Sequence, residues 1–266
     1  MWPKPNPNPL YDKQAIGQAF GRAAHTYDAH AALQRCVGDR VNQLLGQAQQ
    51  PYGGLLDVGC GTGYIARHWR AAGAPVWALD LSVAMLAQAR AHHSADGYVQ
   101  GDAERLPFAD QCFATCSSNL ALQWCADLRV PLGELYRVLA PQGRAVFSTL
   151  VAGSLSELNQ AWACVDDRRH VNEFLSLSQL QGAMAAVGAD RHEWHTATHT
   201  MWYPSVWAMM KDLKGIGATH VHGARRQGLL SRGQLAALEA ALRPHQNQQG
   251  LLPLSYDVFY GVLQRD

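Results

Sequence analysis

A strand-like run followed by closely spaced glycines is the stretch of this sequence with the clearest chemical potential. Residues 55–58 read Leu-Leu-Asp-Val and predict a short buried strand. Glycines follow at alternate positions, at Gly59, Gly61 and Gly63. Glycine permits positive φ angles and lets a ligand approach the main chain closely. A strand, a glycine turn and a helix beginning at Tyr64 therefore predict a corner that binds a nucleotide-containing cofactor.

The spacing of the glycines separates the cofactor classes. A dinucleotide site has the pattern G-x-G-x-x-G, whose third glycine would fall on Tyr64, and a phosphate-binding P-loop would need a Lys-Ser/Thr pair that is missing here. The stretch D-V-G-C-G-T-G resembles motif I of the class I S-adenosylmethionine-dependent methyltransferases. The cofactor expected from this resemblance is S-adenosylmethionine, with Asp57 placed beneath the turn to organise it.

Acidic residues follow the next two predicted strands. Strand 76–80 ends on Asp80, whose carboxylate can accept hydrogen bonds from both hydroxyls of a ribose. Its alternative role is a helix N-cap, although Ser82 can fill that position instead. The string G-D-A-E-R-L-P-F follows the third strand, and the resemblance implies that Asp102 bonds the adenine amino group.

The predicted cofactor site extends to residues beside these anchors. Met85 has two open interpretations, packing on the adenine face or serving as an ordinary core residue of its helix. Asn119 follows the fourth strand, where the resembled family contacts the amino-acid portion of the cofactor. The full set of predicted cofactor residues is Asp57, Gly59, Gly61, Gly63, Asp80, Leu81, Met85, Asp102, Ala103 and Asn119.

These residues need a particular scaffold to come together. From Leu55 to Leu150, strands alternate with helices, which predicts βαβ units and a parallel, doubly wound sheet. We expect an α/β, Rossmann-like sheet of seven strands, mostly parallel with the last strand antiparallel, plus N-terminal helices and a helical lid. The expected division is a proline-rich disordered leader over 1–11, helices capping the cofactor site over 12–52, a cofactor-binding core over 53–150, and the rest of the sheet over 151–266 with lid insertions at about 151–176 and 201–250.

Composition excludes several other classes. The chain has 266 residues, of which 48% are hydrophobic and 16% charged, and a formal net charge of +1. This is ordinary for a globular enzyme and provides no global field to attract nucleic acid. Neither a signal peptide nor an apolar run of about 18 residues is present, so we expect no membrane span. The six cysteines lack paired C-x-x-C spacing, which favours reduced thiols over a metal site. Reduced thiols in turn predict a cytoplasmic location.

The acceptor of the methyl group is constrained by what the sequence lacks. Methyltransferases acting on exocyclic base nitrogens carry Asn/Asp-Pro-Pro-Tyr/Phe after the fourth strand, where this chain has Ser118-Asn119-Leu120-Ala121. No basic stripe with interleaved aromatics suggests a nucleic-acid substrate. A carboxylate acceptor, with a pKa of about 4, is already ionised at neutral pH and needs no general base.

Segments outside the cofactor core narrow the substrate class. Residues 19–28, 119–125, 166–174 and 213–220 together resemble the malonyl-acyl carrier protein O-methyltransferase family. The last of them, L-K-G-I-G-A-T-H, is more informative than motif I because it lies outside the shared core. The resemblance implies esterification of the free carboxylate of a malonyl thioester, the reaction that opens biotin synthesis.

Candidate catalytic residues come from the predicted lid and the N-terminal helices: Tyr27, Arg168, His170 and Lys214. Arg168 is suited by residue type to clamp a carboxylate with two hydrogen bonds. Its alternative is a surface ion pair with a neighbouring aspartate. Tyr27 either closes over the methyl donor and bonds the substrate or simply packs its helix.

The carrier protein implied by the resemblance is acidic, which suggests where it docks. Residues 201–243 contain six lysine and arginine residues against two acidic ones. A basic lid suits weak, salt-sensitive docking of malonyl-acyl carrier protein, and a merely solvated charged face is the alternative. Two other functions stay open: a small-molecule, quinone-type C- or O-methyltransferase, and a non-catalytic cofactor-binding protein.

Overall fold

One sheet of seven strands organises the part of the chain that the structure describes. The computed structural model describes residues 12–46, 54–218 and 231–266. The strands are β1 (Leu55–Val58), β2 (Val76–Asp80), β3 (Gly97–Gln100), β4 (Phe113–Asn119), β5 (Leu139–Leu150), β6 (Arg191–Tyr203) and β7 (Leu252–Gln264).

The order of the strands across the sheet is β3-β2-β1-β4-β5-β7-β6. Strands β1 to β5 pair in parallel, and β7 pairs antiparallel with both β5 and β6. This confirms the predicted fold class, a mostly parallel Rossmann-like sheet whose last strand is antiparallel. The strand order reverses beside β1 and β4, so their carboxyl ends open the crevice where ligands bind in such sheets.

Helices cover both faces of the sheet. They are α1 (Lys13–Ala23), α2 (Tyr27–His30), α3 (Ala32–Leu45), α4 (Tyr64–Ala71), α5 (Val83–Ala91), α6 (Arg129–Val138), α7 (Ser156–Ala163), α8 (Leu177–Val187), α9 (Val206–Gly215) and α10 (Arg232–Leu242), with 3-10 turns at Leu122–Trp124 and Arg243–His245. None of these helices combines the length and apolar character needed to cross a membrane.

The core consists of two layers separated by the sheet. All four residues of β1 are buried because helices cover both of its faces. Leu55 points into the cluster that contains α3, α4 and β7 side chains, whereas Leu56 points into the cluster formed with α6 and α8. The alternation of side chains along a strand thus fixes β1 between two apolar layers.

The N-terminal helices reach the carboxyl edge of the sheet. Helix α3 packs on β4, β5 and α4, α1 packs on α5, and α2 packs on α9. The hydroxyl of Thr26 donates to the carbonyl of Gly215 at 3.0 Å, which ties the start of α2 to the end of α9. This contact brings the segments before β1 and after β6 to the same side of the glycine turn. The leader at 1–11, and part of the predicted lid at 219–230, lie outside the described residues.

Candidate active site

The glycine turn after β1 uses left-handed backbone at each of its glycines. The φ angles are +69° at Gly59, +54° at Gly61 and +86° at Gly63. A Cβ at Gly59 would lie 2.4 Å from Cβ of Ala121, and one at Gly63 would lie 2.3 Å from Oγ of Ser94. Gly59 and Gly63 are therefore required by close packing, while Gly61 has open space apart from Tyr27 at 3.9 Å.

Asp80 at the end of β2 supports this turn. Its carboxylate accepts hydrogen bonds from the backbone N–H groups of Gly61, at 2.9 Å, and Ser82, at 2.8 Å. Ser82 itself caps α5, so Asp80 is not the helix cap. Burial raises the pKa of Asp80, and the two backbone donors oppose that shift. One backbone bond to each oxygen leaves lone pairs on both oxygens for further donors.

Asp57 lies beneath the turn, as the sequence suggested it would be placed. It is 2% exposed and accepts hydrogen bonds from the backbone N–H of Ala66, at 3.2 Å, and the hydroxyl of Ser117, at 2.8 Å. Burial raises its pKa to about 6. The side chain thus joins β1, β4 and the first turn of α4.

Asp102 is held by the N-terminal helix. Lys13 forms ion pairs with both Asp102 and Glu104, and the backbone N–H of Glu104 donates to Asp102 at 3.0 Å. The adjoining Ala103 is half-buried and packs against the apolar layer on the α6 side. The residue predicted to bond adenine therefore already has a cationic partner from α1.

Leu81 and Met85 flank the turn on the β2 side. Leu81 is half-buried, 3.6 Å from the position that a Cβ at Gly17 would take. Met85 is 1% exposed inside α5 and is not among the residues lining the cavity beside the turn. Its position matches the core interpretation.

A cavity of about 370 Å³ opens beside the glycine turn. Asn119 lies at its inner wall, where its amide nitrogen donates to the carbonyl of Gln34 at 2.8 Å and its amide oxygen accepts from the hydroxyl of Ser148 at 2.8 Å. These bonds fix α3 against the ends of β4 and β5. The lining includes Asp57, Gly59, Gly61, Thr62, Asn119, Tyr27 and Gln34.

A smaller cavity of about 100 Å³ adjoins it. Its walls are mainly apolar and aromatic, and none of the described residues lining it is Lys, Arg, Asp or Glu. Tyr27 and Gln34 line both cavities and so form the boundary between them. The polar groups of the smaller cavity are carried by Tyr27, Gln34, Gln123, Trp124, His170, Asn172 and Tyr256.

The two boundary residues have distinct properties. Burial, and secondarily the charge of Asp80, raise the pKa of the Tyr27 hydroxyl well above its usual range. The hydroxyl therefore stays protonated at neutral pH and can donate a hydrogen bond. The amide oxygen of Gln34 is buried and accepts no hydrogen bond from the described part of the chain. A buried acceptor left unpaired is costly, which points to a ligand donor at this boundary.

His170 lines the smaller cavity, and two contacts hold its ring in a fixed orientation. Its ring stacks on Trp162, with centroids 3.5 Å apart and planes 8° from parallel. Its Nε2 lies 2.7 Å from Asp166, and because a carboxylate only accepts, this nitrogen donates. That bond lowers the pKa of Asp166. The 166–174 segment thus presents an oriented imidazole to the cavity.

The other two predicted catalytic cations lie elsewhere. Arg168 is exposed, its backbone N–H donates to Asp166 at 2.9 Å, and it lines neither cavity. Lys214 is also exposed, in the last turn of α9, and lines neither cavity. The structure brings Tyr27 and His170 to one cavity and leaves these two side chains on the surface.

The glycines after Lys214 have a packing reason. A Cβ at Gly215 would lie 2.1 Å from the ring of His30. Gly217 has φ +78°, and a Cβ there would lie only 3.0 Å from the carbonyl oxygen of Ala19. The end of α9 can therefore approach α1 and α2 only with glycine at both positions. Thr219 and His220, the last residues of this string, lie outside the described residues.

No motif in the sequence singles out the lining residues Gln34 and Tyr256, whereas Gln123 lies within the 119–125 segment that carries the family resemblance. Gln34 lies on an amphipathic helix without any motif, and Tyr256 lies on the last strand, far along the chain from the glycine turn. Their shared signal is a polar atom on an otherwise apolar face, which sequence alone does not separate from ordinary amphipathicity. Within the described ranges no cluster of three or more His, Cys, Asp or Glu is arranged to hold a metal.

Comparisons with known proteins identify similar chains. A family model described as a methyltransferase domain matches residues 56–147. A malonyl-[acyl-carrier protein] O-methyltransferase from Serratia marcescens is 52% identical over 97% of this chain and 98% of that protein. Proteins of the same name from Pectobacterium atrosepticum and Yersinia pestis are 51% and 50% identical, each over 96% of this chain and over 98% and 92% of their own lengths.

Solved structures share the fold at low sequence identity. A Bacillus halodurans C-125 protein is 18% identical with a TM-score of 0.60, over 86% of this chain and 98% of its own. Phosphoethanolamine N-methyltransferase 2 of Haemonchus contortus, solved with S-adenosylhomocysteine, is 18% identical with a TM-score of 0.59, over 97% of this chain and 60% of its own. At these identities the likeness shows the fold alone.

Proposed function

The chain belongs to the malonyl-[acyl-carrier protein] O-methyltransferase family, and we propose that it transfers a methyl group from S-adenosylmethionine to the free carboxylate of malonyl-acyl carrier protein. The product is a methyl ester, and this esterification opens biotin synthesis. The observation that supports the proposal most directly is the pair of cavities that meet at Tyr27 and Gln34. A transferase of this kind needs donor and acceptor in adjoining sites with a narrow boundary between them.

The larger cavity fits the cofactor. Its glycine turn lets a ligand contact the backbone at Gly61. Asp80 does not itself line the cavity, but it bonds the turn at Gly61 and keeps acceptor capacity at the end of β2, as a ribose requires. The unpaired oxygen of Gln34 suits a cationic donor such as the cofactor's ammonium group. When bound, the cofactor supplies an electrophilic methyl group on a sulfonium. That Asp102 bonds the adenine amino group stays a prediction. In that arrangement the Asp102 carboxylate would bind adenine while it also forms its ion pair with Lys13.

The smaller cavity fits a short acyl group. At about 100 Å³ it is well below the roughly 300–1,000 Å³ of sites that hold drug-sized ligands, which favours a malonyl group over a quinone ring. Its walls are mainly apolar, and its described lining offers neutral donors and an imidazole in place of lysine or arginine. A carboxylate held this way stays nucleophilic, because no strong ion pair withdraws its electron pair.

We assign the hydrogen bond that orients the carboxylate to Tyr27, whose hydroxyl donates to one carboxylate oxygen at the boundary. His170, whose Nε2 donates to Asp166 and whose ring stacks on Trp162, forms a fixed wall of the smaller cavity on the opposite segment. The carboxylate is already ionised at neutral pH, so no side chain has to remove a proton. Arg168 and Lys214 are exposed and do not line the smaller cavity, so nothing in the site's geometry supports them as substrate contacts, and these two roles stay predictions.

The docking of the carrier protein on the predicted lid is part of the proposal. Among the described residues of this lid, Lys211, Lys214, Arg232 and Arg243 are exposed. The two acidic residues of the segment are engaged within the fold: Asp212 contacts Nδ1 of His30 at 2.6 Å and Glu239 accepts from the backbone of Val206 at 2.9 Å. The surface presented to an acidic partner is therefore cationic.

The deciding experiment is mass spectrometry of malonyl-carrier protein after incubation with the purified chain and S-adenosylmethionine, with acetyl-carrier protein as the control. We expect a gain of one methyl group on the malonyl form alone. Methylation of neither form, with calorimetric binding of S-adenosylmethionine intact, would contradict the proposal and favour a small-molecule acceptor.

A further inference from the structure

A further cavity lies next to the smaller cavity, here called the acyl cavity, on the side away from the glycine turn. It has a volume of about 520 Å³ and is formed by the turn at 122–129, the end of β5, residues 173–175 and α8. Gln123, Leu150 and Phe174 line both this cavity and the smaller one. This space is the outer cavity. These three residues therefore lie at the boundary between the two spaces.

Gln123 gives this boundary a specific chemistry. Its amide nitrogen donates to the carbonyl of Leu120 at 2.8 Å, which fixes the orientation of the amide. Its amide oxygen is buried and accepts no hydrogen bond from any residue in the described ranges. A ligand that supplies a donor would offset the cost of this fixed, buried and unpaired acceptor. Because Gln123 lines both spaces, a ligand that passes from the outer cavity to the acyl cavity runs past its side chain.

We propose that the outer cavity holds the phosphopantetheine arm of the thioester substrate, and that Gln123 accepts a hydrogen bond from an amide N–H of that arm. This inference rests on the proposed function, because it names the route by which that substrate reaches the acyl cavity. The arm is a flexible chain with secondary amides, each carrying one donor, and it ends in the thioester. Its chemistry matches a space whose walls are part apolar and part polar and which has an unsatisfied acceptor at the inner end.

Two helical glycines allow the route to be blocked with a matched control. Gly182 lies on α8 at the exposed rim of the outer cavity, and Gly133 lies on α6 outside it. A Cβ at either position would meet nothing within 4 Å, so a side chain can start at both without an immediate clash. Gly182→Trp therefore fills the entrance, whereas Gly133→Trp changes a comparable helix without touching the cavity.

The experiment compares two substrates that differ in the arm: malonyl-pantetheine and malonyl methyl thioester, which has no arm. For Gly182→Trp we expect kcat/KM to fall about 20-fold with malonyl-pantetheine and to stay unchanged with the methyl thioester. For Gly133→Trp we expect no change with either substrate. Equal kcat/KM of Gly182→Trp and the parent chain for both substrates would overturn the route.

A second variant tests the acceptor independently of steric blocking. Gln123→Leu keeps a side chain of similar size and removes the whole amide. Because Gln123 also lines the acyl cavity, we expect the KM for malonyl-pantetheine to rise about tenfold more than the KM for the methyl thioester. Equal losses with both substrates would indicate a structural role and overturn the assignment of Gln123. Failure of the parent chain to methylate malonyl-carrier protein, with S-adenosylmethionine bound, would instead overturn the proposed function itself.

Discussion

The two cavities that meet at Tyr27 are built in different ways. The cofactor cavity is formed largely by the glycine turn and its near neighbours, from Asp57 to Arg67, completed by α2, α3 and Asn119. The acyl cavity draws on residues spread from Phe20 to Tyr256, in the N-terminal helices, the 166–174 segment, the end of α9 and β7. The cofactor cavity is therefore built mainly from residues close together in the sequence, whereas the acyl cavity forms only when segments far apart in the sequence pack together.

Electrostatics differ between the two regions as well. Near the glycine turn, carboxylates are buried and accept from backbone or hydroxyl donors, as Asp57 and Asp80 do. On the acyl side, the described walls carry no carboxylate, and Asp166 stays outside the cavity, where it orients His170. A buried carboxylate in the acyl cavity would repel a carboxylate substrate. The difference matches a cationic cofactor on one side and an anionic acceptor on the other.

The largest effect is expected from filling the space above the glycine turn. Gly61→Ala places a methyl group at the cofactor cavity, so we expect the Kd for S-adenosylmethionine to rise about 100-fold, as overpacking by about 1–3 kcal/mol implies. Gly73→Ala is the control, because Gly73 has φ +85° and open space around it. Both variants carry left-handed strain, and only the first should weaken binding in calorimetry. Similar Kd values for the two would contradict the placement of the cofactor.

A second test uses the opposite pKa shifts of the two regions. The pKa of Asp57 is raised to about 6 by burial, so the folded state holds the proton more tightly and the stability from this group is lost as pH rises from about 4 to 6. Asp57→Asn cannot titrate. We therefore expect the free energy of unfolding of the variant, relative to the parent chain, to increase by about 2 kcal/mol between pH 4 and pH 7.

Asp166 should behave with the opposite sign. Its pKa is lowered by the hydrogen bond from His170, so its contribution to stability is present above its ordinary pKa and is lost as pH falls through the lowered value. Asp166→Asn should therefore cost stability at neutral pH and approach the parent chain in acid. Urea unfolding at several pH values measures both variants, and parallel pH profiles for the two would remove the electrostatic contrast.

The same contrast explains which parts of the fold and of the candidate site could be predicted from the sequence. The strands and the glycine turn were predictable because period and spacing act within a few residues, as at Gly59 and Gly63. The acyl cavity was only partly predictable. His170 was found through a family resemblance, while Gln34 and Tyr256 have no local signal, because their roles arise from packing between segments far apart in the chain. Exposure of Arg168 likewise depends on how its loop folds back.

The boundary between the regions is tested at Tyr27. Tyr27→Phe removes the hydroxyl while keeping the ring, so we expect the single-turnover rate of methyl transfer to fall about tenfold, equivalent to one hydrogen bond of about 1.4 kcal/mol. Cofactor affinity should change little. Tyr64→Phe is the control, because Tyr64 lines the cofactor cavity with its hydroxyl on Asp39. Equal rates for Tyr27→Phe and the parent chain would remove the hydroxyl from the proposed mechanism.

The smallest effect is expected on the surface, far from either cavity. Replacing Lys211 and Lys214 together by glutamine removes two exposed charges from the lid, so we expect the Kd for the acidic carrier to rise about threefold to tenfold at low ionic strength. The difference should vanish near 1 M salt, where the Debye length is about 3 Å.

Arg105→Gln is the control, because Arg105 is an exposed cation that lies beside the third strand and outside the lid. An equal effect of the control would mean that net charge, and not the lid, attracts the carrier, and a salt-independent Kd would exclude electrostatic docking altogether. Either result would leave the cavities, and not a charged docking surface on the lid, as the basis of substrate selection.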